Sequence, residues 1–169
     1  MTFLTPSIIK LRYASGAEYD NTFTISTGTT LTLSDHSRSP LSVSYEIIEK
    51  SSRMADGTMR KYVIGKKNRY SCQWTLLPTI RSQVADGNAD ARDMKEFYDR
   101  FCYSPLSLDL YYMTNATERG RVVVPVDKNN DTNHYKETKN VFWTGFTFEV
   151  VKRFRNFDYW DVTSEFTEI

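Results

Sequence analysis

Apolar residues at every second position restrict the fold of this 169-residue chain more than any other feature, because only a strand puts alternate side chains on one face. Val43, Tyr45 and Ile47 alternate with Ser42, Ser44 and Glu46. Further on, Tyr70, Cys72, Trp74 and Leu76 alternate with Arg69, Ser71, Gln73 and Thr75. Both runs predict half-buried strands, and residues 51–57 between them are rich in turn formers, so residues 44–78 read as a long β-hairpin arm. The arm also concentrates charge. From Lys50 to Arg69, the bases Lys50, Arg53, Arg60, Lys61, Lys66, Lys67 and Arg69 stand against Asp56 alone, a local net of +6 in a chain whose total is +1.

The rest of the chain continues the β pattern with one interruption. Residues 22–26 and 30–34 alternate Thr or Ser with Phe23, Ile25, Leu31 and Leu33, predicting short strands set off by turns at Gly16 and Gly28; residues 1–40 are also consistent with an arm. Met94, Phe97, Tyr98 and Phe101 then fall at helical spacing, predicting one helix over 89–102 with Asn88 or Asp86 as its N-cap. The acids Asp90, Asp93, Glu96 and Asp99 interleave with Arg92 and Lys95 and are assigned to the wet face, where Lys95 and Asp99 are one of several i,i+4 pairs. Ser104-Pro105 stops the helix. Strands follow at 106–112 and 121–126, then a long polar loop at 127–140. Residues 141–169 read as a closing hairpin, with Phe142, Thr144, Phe146, Phe148 and Val150 on one face, a turn at 155–158, and a bulge or close backbone approach at Gly145. Four acids and no base occupy residues 156–169.

Length favours one domain, 1–169, burying roughly 70% of the unfolded surface. An aromatic content of 14% supports a sheet-rich class: mainly β with one flanking α-helix. Cys72 and Cys102 lack metal or redox spacing and read as reduced, buried thiols, while His36 and His134 sit among polar residues without ligand-spaced partners. Neither a nucleotide loop, a nucleophile elbow nor a metal motif is present, so the sequence implies no enzyme and no cofactor or metal site. It has no secretory leader pattern and no run of ~18–20 apolar residues, which predicts a chain made in the cytoplasm with no membrane span.

The stretches SYEIIEKSSRMADGTMRKYVIGKKNRYSCQWTLLP and FRNFDYWDVTSEFTEI, with the single helix between them, resemble bacteriophage tail proteins of the tail-tube, minor-tail and distal-tail group. The resemblance covers roughly residues 40–169. It implies a β-sandwich or barrel with an extended hairpin arm, and a virion structural role. Copies would join in a hexameric ring, with other tail proteins above and below and DNA passing through the lumen without specific binding. The chain ends just after its closing strand, which favours a tube-type subunit or minimal ring protein over larger distal-tail proteins.

Opposite charges on separate segments suit a head-to-tail contact between copies. The residues expected at it are Lys50, Arg53, Met54, Arg60, Lys61, Lys66, Lys67 and Arg69 on the arm, and Asp93, Glu96, Asp161 and Glu165 as acidic counterparts. The rival reading is a binding module: for nucleic acid through the arm with Tyr62 and Tyr70, or for carbohydrate through exposed Trp143, Tyr159 or Trp160.

Overall fold

The computed structural model describes residues 6, 8–13, 30–113 and 134–169. The strands expected at 22–26 and 121–126, and the turns at Gly16 and Gly28, lie outside the described residues. Seven strands, β1 (Ile8–Tyr13), β2 (Thr30–Leu33), β3 (Ser42–Arg53), β4 (Met59–Pro78), β5 (Leu106–Met113), β6 (His134–Arg153) and β7 (Asp158–Glu168), form one antiparallel sheet in the order β2-β1-β5-β6-β7-β4-β3. Among the described residues a single α-helix, α1 (Ala91–Phe101), lies between β4 and β5 in sequence. The class is therefore mainly β with one helix, as the alternation predicts.

The sheet is one rolled layer rather than two stacked ones. After β2 the chain crosses directly to β4: the Trp74 indole donates to the Ser34 carbonyl at 2.8 Å, Ser39 N–H to Gln73 O at 2.8 Å, and Thr75 N–H to Ser37 O at 3.2 Å. Strand β2 at one end of the order and β4 near the other thus share one core. Leu31 and Leu33 belong to the same buried cluster as Trp74, Leu77, Leu108, Val162 and Phe166. On this core α1 lays Ala91, Met94, Phe97 and Phe101, the stripe expected from its spacing together with Ala91, and Tyr98 stacks on Phe146 with ring centroids 5.3 Å apart.

The helix start differs from expectation. Asp90 is the N-cap, accepting from Asp93 N–H at 2.8 Å, and burial pushes its carboxyl above the usual range. Asp86 binds elsewhere, accepting from the Ser34 hydroxyl at 2.9 Å and the Asp35 N–H at 2.7 Å. Nor do all the acids lie on the wet face. Asp90 and Asp93 are buried, and Asp93 holds Arg81 at 2.5 Å, whereas Lys95 and Asp99 do form their solvated pair at 2.6 Å.

Bulges overturn the alternation at two places. On β4 the register shifts between Trp74 and Leu77, so Leu77 is buried and Leu76 is exposed, the reverse of a strict period of two. Leu76 has φ +53°, and its N–H donates to the Asp161 carboxylate at 2.9 Å. On β6 the shift between Trp143 and Gly145 puts Val141 and Trp143 in the core and leaves Phe142 exposed, while Phe146 packs against the core beyond the bulge. Gly145 is therefore the expected bulge, and the Glu165 carboxylate lies 3.3 Å from where a Cβ would sit.

Two connections are shorter than expected. Strand β3 runs through Arg53, leaving residues 54–58 rather than 51–57 as the turn. Residues 134–140 of the expected long loop, His134 among them, belong to β6 and pair with β5, while residues 127–133 lie outside the described residues. The closing hairpin is present as β6 and β7, its turn held by Phe154 N–H donating to Phe157 O at 2.9 Å. Both cysteines are free. Cys72 is buried, which pushes its thiol up to about 12, but Cys102 at the helix end is only half-buried.

Candidate subunit interface

Strand β4 is longer than the sheet that holds it. Its segment from Arg69 to Pro78 pairs with β7, whereas its outer part pairs only with β3. A two-stranded ribbon of residues 45–68 therefore stands out from the domain. The turn at its tip is tightly specified: Met54 N–H donates to Thr58 O at 2.8 Å, Gly57 takes φ +83°, and Asp56 accepts the Thr58 N–H at 2.9 Å. The Thr58 hydroxyl also donates to Asp56 and holds that carboxyl below its usual range.

Residues paired across the ribbon share a face, so its register sorts the side chains. The face continuous with the domain core carries Val43 opposite Tyr70, Tyr45 opposite Asn68, Ile47 opposite Lys66, and, beyond an irregularity at Ile48/Glu49, Glu49 opposite Val63 and Arg53 opposite Met59. The other face carries Glu46 opposite Lys67, Lys50 opposite Tyr62 and Ser52 opposite Arg60, with Arg69 beside Glu46. One side of the arm thus prolongs the core's apolar face, interspersed with Lys66, Glu49, Lys61 and Arg53, and the other carries Lys50, Arg60, Lys67 and Arg69.

This apolar side faces water. Tyr45 is 60% exposed, Val63 61% and Met59 63%, and no residue of β3 is buried. The alternation in β3 had implied a half-buried strand, but on the ribbon there is no layer for that face to meet. Isolated two-stranded hairpins are marginal in water, and contiguous exposed apolar surface of this kind marks an interaction site.

The structure brings only some of the expected contact residues together. Lys50, Arg53, Met54, Arg60, Lys61, Lys66, Lys67 and Arg69 all lie on the arm, but the arm's own acids meet part of their charge. Lys61 pairs with Glu49 at 2.5 Å, Arg69 with Glu46 at 2.7 Å, and Lys66 sits 3.7 Å above the Tyr45 ring. Counted over residues 42–78 the arm has seven bases and three acids, a net of +4. Arg69 and Glu165 line one groove of about 520 Å³ on the sheet face away from the core, floored by hydroxyls such as Ser44, Ser71 and Thr167. Asp93 is not at such a contact: buried against Arg81, it is not available to a neighbour. Glu96 is half-buried on α1, and Asp161 is spent on the Leu76 bulge.

The carbohydrate reading loses Trp143 and finds Trp160 and Tyr159 only half-exposed. Trp143 is 1% exposed and packs on Phe97, Tyr98, Phe146 and Phe166, and Trp160 is half-buried, stacked on Phe148 at 4.4 Å. Among the described residues no helix is long and apolar enough to cross a membrane, and no cluster of His, Cys, Asp or Glu has the makings of a metal site. The exposed apolar face was the feature the sequence reading missed. Its signal was the presence of Tyr45, Ile47 and Ile48 on one strand and Tyr62, Val63 and Ile64 on the other, in strands that run past the end of β7.

No protein-family model matches the chain, and no curated protein matches it.

Proposed function

We propose that the protein is a structural subunit of a bacteriophage tail that assembles with copies of itself into a ring, hexameric by resemblance, around the channel that carries DNA. The observation behind this reading is the arm. A domain with its own buried core carries a ribbon whose apolar residues are exposed, and that surface is useful only when another molecule covers it. A second copy is the simplest cover, because a contact between different patches of identical subunits closes into a ring when its rotation fits. Electron microscopy of the purified protein, with light scattering across concentration, tests the reading: rings or stacked tubes support it, and a monomer at every concentration overturns it.

The arm's outer face favours one alternative. Lys50, Arg60, Lys67 and Arg69 with Tyr62 make a basic strip with an aromatic platform, the chemistry of single-strand nucleic-acid binding. In that case affinity for DNA falls steeply between low and physiological salt. A ring that conducts DNA binds it weakly at both.

A further inference from the structure

The arm's apolar face has a counterpart at the opposite end of the molecule. Strand β6 pairs with β5 only over His134 to Val141; from Phe142 to Arg153 it has β7 on one side and no described strand on the other. Helix α1 reaches the inner end of this edge, where Tyr98 stacks on Phe146, and beyond that point Phe148, Glu149 and Val151 are exposed. Among the described residues strand β3 is the other long edge with a partner on one side only, the last in the strand order. Each edge presents a ladder of backbone donors and acceptors that a further strand satisfies.

Resting on the reading that copies of this chain assemble, we propose that the arm of one copy adds its β3 edge to the β6 edge of another, from Phe146 outward. The side chains match in spacing and kind. Val43, Tyr45 and Ile47 recur at every second position on the core-side face of β3, and Phe146, Phe148 and Val150 do so on the core-side face of β6, where Phe148 pairs across to the buried Val162. Joined edge to edge, the two apolar stripes run on as one face, and Phe148, now 42% exposed, is covered.

The topology also fixes how such copies are related. In the strand order the free edge of β3 points away from β4, and that of β6 points toward β5, in the opposite direction, so the contact is head to tail. The two edges also lie at different heights along the strands. Phe148 is opposite Val162, which is opposite Trp74 of β4, whereas Tyr45 is opposite Asn68, six residues or about 20 Å away along the strand. Pairing them displaces one copy along the strand axis by about that distance, so each such contact steps along the axis and a separate surface must close each ring.

Cross-linking tests this in a Cys102→Ser background, which leaves only the buried Cys72. One variant carries Tyr45→Cys, and separate partners carry Phe146→Cys, Phe148→Cys or Val150→Cys; each pair is mixed, assembled and oxidised. The expected result is a covalent dimer between unlike variants for at least one partner, and none when Thr32→Cys on the β2 edge replaces them. Hydrogen exchange on the unmodified protein gives a second measurement, with assembly slowing the amides of both β3 and residues 146–153. Assemblies in which Tyr45→Cys links only to itself, or in which protection is confined to β3, overturn this inference and leave the ring reading standing. A protein that never assembles overturns both.

Discussion

The β3–β4 arm and the β6–β7 hairpin are written in the same pattern, long antiparallel strands with apolar residues on alternate positions, and they end in opposite circumstances. In the β6–β7 hairpin that face meets α1 and the rest of the rolled sheet, so Val141, Trp143, Val162 and Phe166 are buried. In the arm the same kind of face runs past the end of β7 into water, and Tyr45, Ile47 and Val63 are exposed. Periodicity therefore specifies a face. Whether it stabilises the subunit or joins it to another molecule depends on what the topology places opposite.

Substitutions in the two hairpins should separate these roles. Trp143→Ala empties the largest buried aromatic site of the β6–β7 hairpin and is expected to cost about 3–5 kcal/mol of subunit stability, read from urea unfolding. The combined change Tyr45→Ser, Ile47→Ser and Val63→Ser is expected to alter unfolding by no more than ~0.5 kcal/mol per site while weakening assembly at least ~100-fold, read by light scattering. A large loss of stability from the arm variant would erase the distinction, because the ribbon would then be part of the core.

Smaller changes sharpen the boundary between the regions. Asp161→Ala removes the acceptor for the Leu76 N–H and leaves a bulged, positive-φ residue unsupported, for a loss of about 1–2 kcal/mol on urea unfolding. Reversing Lys66 and Lys67 to Glu should leave unfolding unchanged and raise the concentration needed for assembly about tenfold at low salt, since each exposed charge contributes up to ~1 kcal/mol. The effect should shrink as salt screens it. Equal inhibition at every salt concentration would point to lost packing over Tyr45 instead.

Much of the domain was legible because its signals are local. The Met94, Phe97, Tyr98 and Phe101 stripe reports a helix with one buried face, and Gly145 reports a bulge because a side chain there would meet Glu165. Other features depend on partners distant in sequence. Leu76 continues the alternation of Tyr70, Cys72 and Trp74, and only the pairing of β4 with β7 shows that the strand slips before Leu77. Asp93 looks like any solvated helix acid until Arg81 folds back onto it. The arm's charge was overcounted for the same reason: Glu46 and Glu49 precede the basic run in sequence, and the hairpin register sets them among its lysines and arginines.

Acid unfolding offers the finest division between body and arm, because each holds one carboxyl below its usual range. In the body, burial alone would raise Asp86, and hydrogen bonds from the Asp35 and Asn88 N–H groups and the Ser34 hydroxyl outweigh it. In the arm, the Thr58 hydroxyl and N–H lower Asp56. A carboxyl depressed on folding contributes stability that is present above its unfolded pKa, near 4, and is lost as pH falls through its folded value. Asp86→Asn should therefore lower the urea midpoint at pH 6 and flatten its decline between about pH 4 and pH 2.5, because Asp86 ties the start of the helix segment to the end of β2, inside the cooperative unit. Asp56→Asn should leave that decline unchanged, since opening the arm's turn exposes no core. An equal effect from the two substitutions would mean that arm and body unfold together, and the arm would then belong to the folded unit rather than to the surface it presents.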